Sequence, residues 1–260
     1  MRLKIIDVIN KFEEDCPLDL QEEWDNSGMQ VDFSKEDFKG LVLGLDLSME
    51  LVDFTLEKNC NFIFLHHPFF FEDIKSLDFN TLRGKILEKI IKNKITVYSA
   101  HTNFDKVSFG VSDILSKQIQ LKEIETFINS DDMGNGLGKM GLVEKQTLLE
   151  IGEKIKYLLN LPSIISYGDL DKSIYRVAVI GGSGSFAIEK AIELDMDLLI
   201  TGDIKYHNGQ KAVENDLAIL DIGHYDSEVG SLDFLLKYFA NFLEEPIYTY
   251  KFDSTRRKII

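Results

Sequence analysis

The chain has 260 residues, 44% hydrophobic and 28% charged, which is enough to bury a core without added staples. Its 29 basic and 44 acidic residues give a formal net charge of -15, which disfavours general binding to nucleic acid or anionic membrane while leaving room for a small anionic substrate held by local cations. Cys16 and Cys60 form no metal-spaced pair, the N-terminus lacks a signal-peptide core, and no apolar run approaches the roughly 20 residues of a bilayer span, so a reducing cytoplasmic compartment is expected.

The predicted elements alternate between helices and short apolar strands. Ile5, Ile6, Val8, Ile9 and Phe12 recur at helical spacing, giving an opening helix that stops near Cys16-Pro17. Residues 41–46 read as a buried strand, Ser48 as the cap of a helix over about 49–58, and 61–65 as a second strand. An amphipathic helix over 82–92 and a third strand over 95–100 follow. Residues 129–141, dense in Gly, Asn and Asp, read as a loop and as the crossing into a second lobe. Beyond it come a helix over about 147–159, strand 175–180, helix 185–195, strand 198–201, helix 206–216, strand 217–222 and a last helix over about 227–243. The expected class is α/β, two-lobed, with mostly parallel sheets flanked by helices. The first lobe covers approximately 1–125 plus 225–260, and the second approximately 126–224.

The histidines carry the functional signal. His66 and His67 follow directly on strand 61–65. His101 follows strand 95–100, with Asp105 four residues on, and His224 follows strand 217–222, with Glu228 four residues on. Ligands in open parallel sheets bind beyond the carboxyl ends of the strands, so three strands deliver His or carboxylate to one kind of edge. Imidazole and carboxylate suit first-row divalent metals: zinc, iron, manganese, cobalt or nickel. Two ions roughly 3.5–4 Å apart can activate a shared water and clamp a reacting oxygen. The opposing reading is ordinary: a lone His at a strand end is usually structural or solvated, and an Asp four residues after a His is common. Asp46 ends a strand and is placed to orient a ligand histidine. Trp24-Asp25-Asn26-Ser27-Gly28 has the form of a tight polar turn, either lining a cavity or stabilising the first lobe.

A second pattern competes. Gly182-Ser183-Gly184-Ser185-Phe186-Ala187 fits a loose dinucleotide fingerprint after an apolar strand, and Asp203 lies about twenty residues on. Taken with the histidines, the more economical reading is that these amides face a substrate phosphate or only make a tight turn.

Leu-His-His-Pro (65–68), Ala-His-Thr-Asn-Phe-Asp (100–105) and Gly-His-Tyr-Asp-Ser-Glu (223–228) resemble the ligand motifs of the Nif-three-like dinuclear metal-centre family, the GTP cyclohydrolase 1 type 2 homologues. Trp-Asp-Asn-Ser-Gly (24–28), Gly-Leu-Asp-Leu-Ser (44–48), Gly-Asn-Gly-Leu-Gly-Lys-Met-Gly (134–141), Val-Ala-Val-Ile-Gly-Gly-Ser-Gly-Ser (177–185) and Leu-Ile-Thr-Gly-Asp-Ile-Lys-Tyr-His (199–207) extend the resemblance along nearly the whole chain. It implies two divalent ions held by His66, His67, Asp105, His224 and Glu228, with Glu228 bridging them. It also implies a ring-like homohexamer and the short form of the family, without the inserted middle domain. The function expected from it is a metal-dependent hydrolase on a small, nucleotide-like substrate, with His101 and His207 as outer-sphere or substrate-contacting groups. The alternative is a non-enzymatic metal-binding ring, a scaffold or a metal-delivery or regulatory protein. Fold and ligand type alone do not choose the substrate.

Overall fold

The opening helix, α1 (Ile5–Asp15), buries Ile5, Val8, Ile9 and Phe12, the one-face set its period specifies. It stops ahead of Pro17, whose ring disfavours helical backbone at the residue before it. The computed structural model describes residues 2–72, 74–131 and 133–255. Next come β1 (Gly28–Val31), β2 (Leu41–Gly44), α2 (Met49–Glu57), β3 (Phe62–Leu65), α3 (Leu82–Lys92), β4 (Thr96–Ser99), α4 (Thr102–Lys106) and α5 (Val111–Gln118). Then follow β5 (Lys122–Asn129), β6 (Gly136–Thr147), α6 (Leu148–Leu158), β7 (Ile165–Tyr167), β8 (Ser173–Ser183), α7 (Ile188–Glu193), β9 (Leu198–Gly202) and α8 (Tyr206–Glu214). The chain closes with β10 (Ala218–Asp221), α9 (His224–Glu228), α10 (Gly230–Ala240) and β11 (Ile247–Thr249).

These elements form two compact units. One takes in the chain up to Phe104 and resumes at Leu232; the other runs from Asp105 to Ser231. The first unit holds a five-stranded sheet in the order β1-β4-β3-β2-β11, parallel except for β1. Strand alternation sorts its core. Ile63 and Leu65 pack with Leu51 and Val52 of α2 and Ile86 and Ile90 of α3. Phe62 and Phe64 point the other way, where Phe64 meets Phe12 edge-on at 4.8 Å, Phe239 at 5.3 Å and Tyr98 in a stack at 5.4 Å. Ser48 caps α2 by accepting from the Leu51 amide.

The second unit departs from the expected mostly parallel sheet. Its six strands run β5-β6-β8-β9-β10-β7, with β8, β9 and β10 parallel and the other three pairings antiparallel. Within this unit β5, ending at Asn129, pairs antiparallel with β6, starting at Gly136, where the sequence suggested a loop between lobes. Gly136 belongs to the ladder: a Cβ there would stand 2.0 Å from the Ile128 carbonyl oxygen, so only glycine allows the strands to close. Val177, Val179, Leu198, Ile200 and Leu220 face Leu115 of α5 and Ile151 and Ile155 of α6. The alternate residues Ala178, Ile180, Leu199 and Ile219 face α7 and α8. The expected helix 185–195 opens with a 3-10 turn, Ser185–Ala187, before the short α7, and the expected helix 227–243 is two pieces, α9 starting already at His224. No helix among the described residues is long and apolar enough to cross a membrane.

Candidate metal centre

In the first unit the adjacent parallel strands β2, β3 and β4 end at one edge, and each is followed there by a residue with metal chemistry: Asp46, then His66 and His67, then His101. One ring nitrogen each of His66, His67 and His101 lies within 4.8 Å of the others. The ring centroids are 5.0 Å apart for His66 and His67, and 5.2 and 5.6 Å from His101 to each of them. Strand alternation would send neighbouring side chains to opposite faces; the chain bends at His66-His67 as β3 ends, so both rings serve one locus.

Each ring has its orientation set by one acceptor. His66 Nδ1 donates to the Ala100 carbonyl at 2.9 Å, His67 Nδ1 to Asp46 Oδ1 at 2.9 Å and His101 Nδ1 to Asp25 Oδ1 at 2.8 Å. A carbonyl or ionised carboxylate can only accept, so the proton resides on Nδ1 and the lone pair on Nε2. This is the arrangement in which outer partners orient ligand histidines. Asp46, expected to orient a histidine here, accepts from His67. Asp25, whose side chain is fully buried, also accepts from the Thr102 amide at 3.0 Å and from its hydroxyl. Burial pushes the Asp25 carboxyl up, but the hydrogen bonds from His101 and Thr102 outweigh it and hold the group well below the usual carboxylate range. The tight polar turn at 24–28 thus works as the anchor of His101, a role the sequence left unassigned. Trp24 is 64% exposed and stands edge-on to the His101 ring at 6.0 Å, and Phe71, 49% exposed, does so at 5.5 Å.

In the second unit the parallel strands β8, β9 and β10 end beside one another, leading to Gly182, Asp203 and His224. His224 Nδ1 donates to Asp203 Oδ2 at 2.7 Å, and its Nε2 lies 3.2 Å from Glu228 Oε1, one turn on in α9. The carboxylate of Glu228 is 4% exposed. Asp203 adopts a left-handed φ of 59°, a conformation that Asp tolerates better than most side chains, and this turn ends β9 with its carboxylate on His224. Gly202 lets the backbone of His224 approach: a Cβ there would be 2.6 Å from the His224 amide nitrogen.

The glycine loop is explained by the same site. The Gly181 amide donates to Ser112 Oγ at 3.1 Å and the Gly182 amide to Ser227 Oγ at 2.8 Å, so these two amides are used internally. Gly182 has φ +67°, and a Cβ on it would sit 2.5 Å from Glu228 Oε1. Glycine is required here to seat the Glu228 carboxylate. Asp203, which fits the acidic position of a dinucleotide fingerprint by spacing, is occupied with His224.

Four of the five expected ligands are thus distributed as His66 and His67, joined by His101, in the first unit, and His224 with Glu228 in the second. Asp105 lies half-buried in α4, four residues after His101. His207 is exposed near the start of α8, where Nδ1 lies 3.4 Å from Gln210 Oε1. Sequence reasoning missed Asp25 and Asp203 as partners of histidine. Their only signal was position, Asp203 at the end of an apolar strand and Asp25 in a turn-forming motif. Converging imidazoles and a buried carboxylate are the donor chemistry of a first-row divalent ion, so the residues present fit such a group.

Comparison with known proteins agrees in fold and in family. A protein from Clostridium acetobutylicum named GTP cyclohydrolase 1 type 2 homolog is 35% identical over 231 residues, covering 88% of this chain and 86% of that one. A protein of the same name from Streptococcus pneumoniae is 33% identical over 223 residues, 84% of each chain. Among solved structures, Staphylococcus aureus hypothetical protein SA1388 aligns over 100% of both chains with a TM-score of 0.92 and 27% identity. The Bacillus cereus protein related to NIF3 aligns over 100% of both with a TM-score of 0.93 and, at 22% identity, supports the shared fold. The family profile Duf34/NIF3 (NGG1p interacting factor 3) matches residues 3–256, and the chain belongs to that family.

Proposed function

We propose that this chain binds two divalent metal ions through His66, His67, Asp105, His224 and Glu228, and that it is a cytoplasmic, homohexameric metal-dependent hydrolase of a nucleotide-like substrate. The observation that carries the reading is that the three histidines of the proposed ligand set each have Nδ1 engaged by a carbonyl or carboxylate, which puts the lone pair on Nε2. Bound divalent ions supply Lewis acidity and bring the pKa of water towards neutrality. The chain's own contribution is orientation. Asp46, Asp25 and Asp203 hold imidazoles in one tautomer, and Gly182 makes room for Glu228, whose two oxygens suit it to bridge. A nucleotide-like substrate is supported by the exposed Trp24 and Phe71 beside His101, since aromatic faces stack on heterocyclic bases, and by the names of the curated relatives. His207, exposed on α8, enters the reading only as a substrate contact.

The second reading, a non-enzymatic metal-binding ring that scaffolds or delivers metal, is favoured by the family's description as an interacting factor. One experiment separates the readings. Metals are counted per chain in gently purified protein, in H66A and in E228Q, and nucleotides are screened for hydrolysis in parallel. The expected result is about two transition-metal ions per chain, fewer in both variants with helical content intact, and turnover that falls with the metal. Full metal occupancy in folded E228Q would rule out bridging by Glu228. Full occupancy in both variants would exclude the ligand set, and metal without turnover of any nucleotide would favour the scaffold.

A further inference from the structure

Lys139 stands in the Gly-Asn-Gly-Leu-Gly-Lys-Met-Gly segment, on β6 of the second unit, away from any role in the metal reading. It is 4% exposed. Across the ladder it faces Thr126 of β5, and its Nζ donates to Thr126 Oγ1 at 3.1 Å, its one hydrogen bond among the described residues. Thr126 Oγ1 donates in turn to the Gly134 carbonyl at 2.8 Å. An ammonium has three donors, so two are left without a protein acceptor there. The nearby carboxylate of Asp113 is already paired, 2.6 Å from Lys117 Nζ on the next turn of α5. Lys139 forms no ion pair among the described residues. Burial pushes its pKa down, and the negative charge of Asp113 offsets this only in part.

A buried cation with two donors unused among the described residues is costly where the Asp113 charge compensates it only in part, and an added anion would lower that cost. The space for such a group is present. A cleft of about 640 Å³ opens at Lys139, Thr126 and Lys117, with the carboxylates of Asp113, paired with Lys117, and Glu125 also on its lining and Ile124, Met133 and Met140 as its apolar wall. That volume lies within the range of small-molecule sites, which combine an apolar lining with a few placed polar groups. Met133 is 84% exposed at the hairpin turn, an apolar side chain left open to solvent at the cleft.

We propose that this cleft is a second ligand site, in which Lys139 takes the oxyanion head of a small organic acid, a carboxylate or a phosphate, and the Ile124, Met133 and Met140 side chains take its apolar body. The site lies within the second unit and does not depend on the metal assignment.

The test is calorimetric titration of the full chain, with its metal counted, using phenyl phosphate, benzoate and the neutral benzamide. Unaltered protein is expected to bind at least one anion and to discriminate against benzamide. K139M is expected to weaken that anion at least about tenfold at unchanged metal content, and K139R to retain part of the affinity. Phenyl phosphate alone would identify phosphate as the head, and benzoate alone carboxylate. Structure determination of the unaltered protein with the bound probe is independent of whether K139M folds, and should show the anion within hydrogen-bond distance of Lys139 Nζ. Equal affinity in folded K139M, an anion found elsewhere, or no binding of either anion would overturn the proposal. A lower unfolding temperature in K139M with no anion bound by the unaltered protein would instead make Lys139 a strut of the hairpin.

Discussion

At the scale of single residues, the site is organised by carboxylates that hold histidines, of which Asp25 and Asp203 carry no histidine-partner signal in the sequence. Asp203 illustrates why they matter. A neutral imidazole has two nitrogens, and without a fixed acceptor on Nδ1 the proton spends time on Nε2 and blocks it. Asp203→Asn keeps the shape but replaces an obligate acceptor with an amide that can also donate. Loss of such an outer partner typically weakens metal binding by about 10–100-fold. The expected result for Asp203→Asn is therefore a weaker metal titration with an unaltered far-ultraviolet circular dichroism spectrum. Unchanged affinity would mean that His224 is not held for ligation. The same logic extends to Asp25, which is buried and committed to both His101 and Thr102.

At the scale of elements, two positions report on how the units are built. Thr147 begins α6 with a reciprocal pair of bonds: its Oγ1 accepts from the Glu150 amide at 3.2 Å, and Glu150 Oε2 accepts from the Thr147 amide at 2.8 Å. Thr147→Ala removes one of them and should cost about 1 kcal/mol, read as a lower denaturant midpoint with an unchanged slope. Phe64 is a harsher case. It touches Phe12, Tyr98 and Phe239 from the middle of β3 and is 1% exposed. Phe64→Ala is expected to destabilise by about 3–5 kcal/mol, because the surrounding rings cannot collapse into the cavity. A loss below about 1 kcal/mol would show that the aromatic layer repacks freely.

At the scale of the whole molecule, metal binding and stability should be linked. A ligand that binds only the folded chain stabilises it by about 2.7 kcal/mol at a hundred times its dissociation constant. Adding zinc or manganese to chelator-treated protein should therefore raise the unfolding temperature, and E228Q should lose most of the gain. An equal rise in E228Q would place the stabilising ion elsewhere. The net charge of -15 makes nonspecific cation binding a background that this comparison subtracts, since both proteins share nearly the same surface.

Much of this protein could be read from its residues alone. Long amphipathic helices and doubly buried strands announce themselves by period, so α1, α2, α3, α6, β2, β3 and β4 lie within a residue or two of expectation. The histidines after β3, β4 and β10 are equally visible, because strand ends and metal-ligating side chains are both local features. The short strands β7, β11 and β1, only partly buried, lack the continuous apolar run that marks β2, β3 and β4 and do not stand out. The glycine-rich hairpin read as a loop because its glycines are needed for contact between strands, which is a property of the partner strand and not of the segment. Partnerships between residues far apart in sequence, Asp25 with His101, Asp203 with His224 and Glu228 with Gly182, were decided only by the tertiary structure, as was the choice of His67 as the histidine Asp46 holds. A hydrogen bond or a steric limit depends on separation in space, and no local pattern encodes the distance between two strand ends.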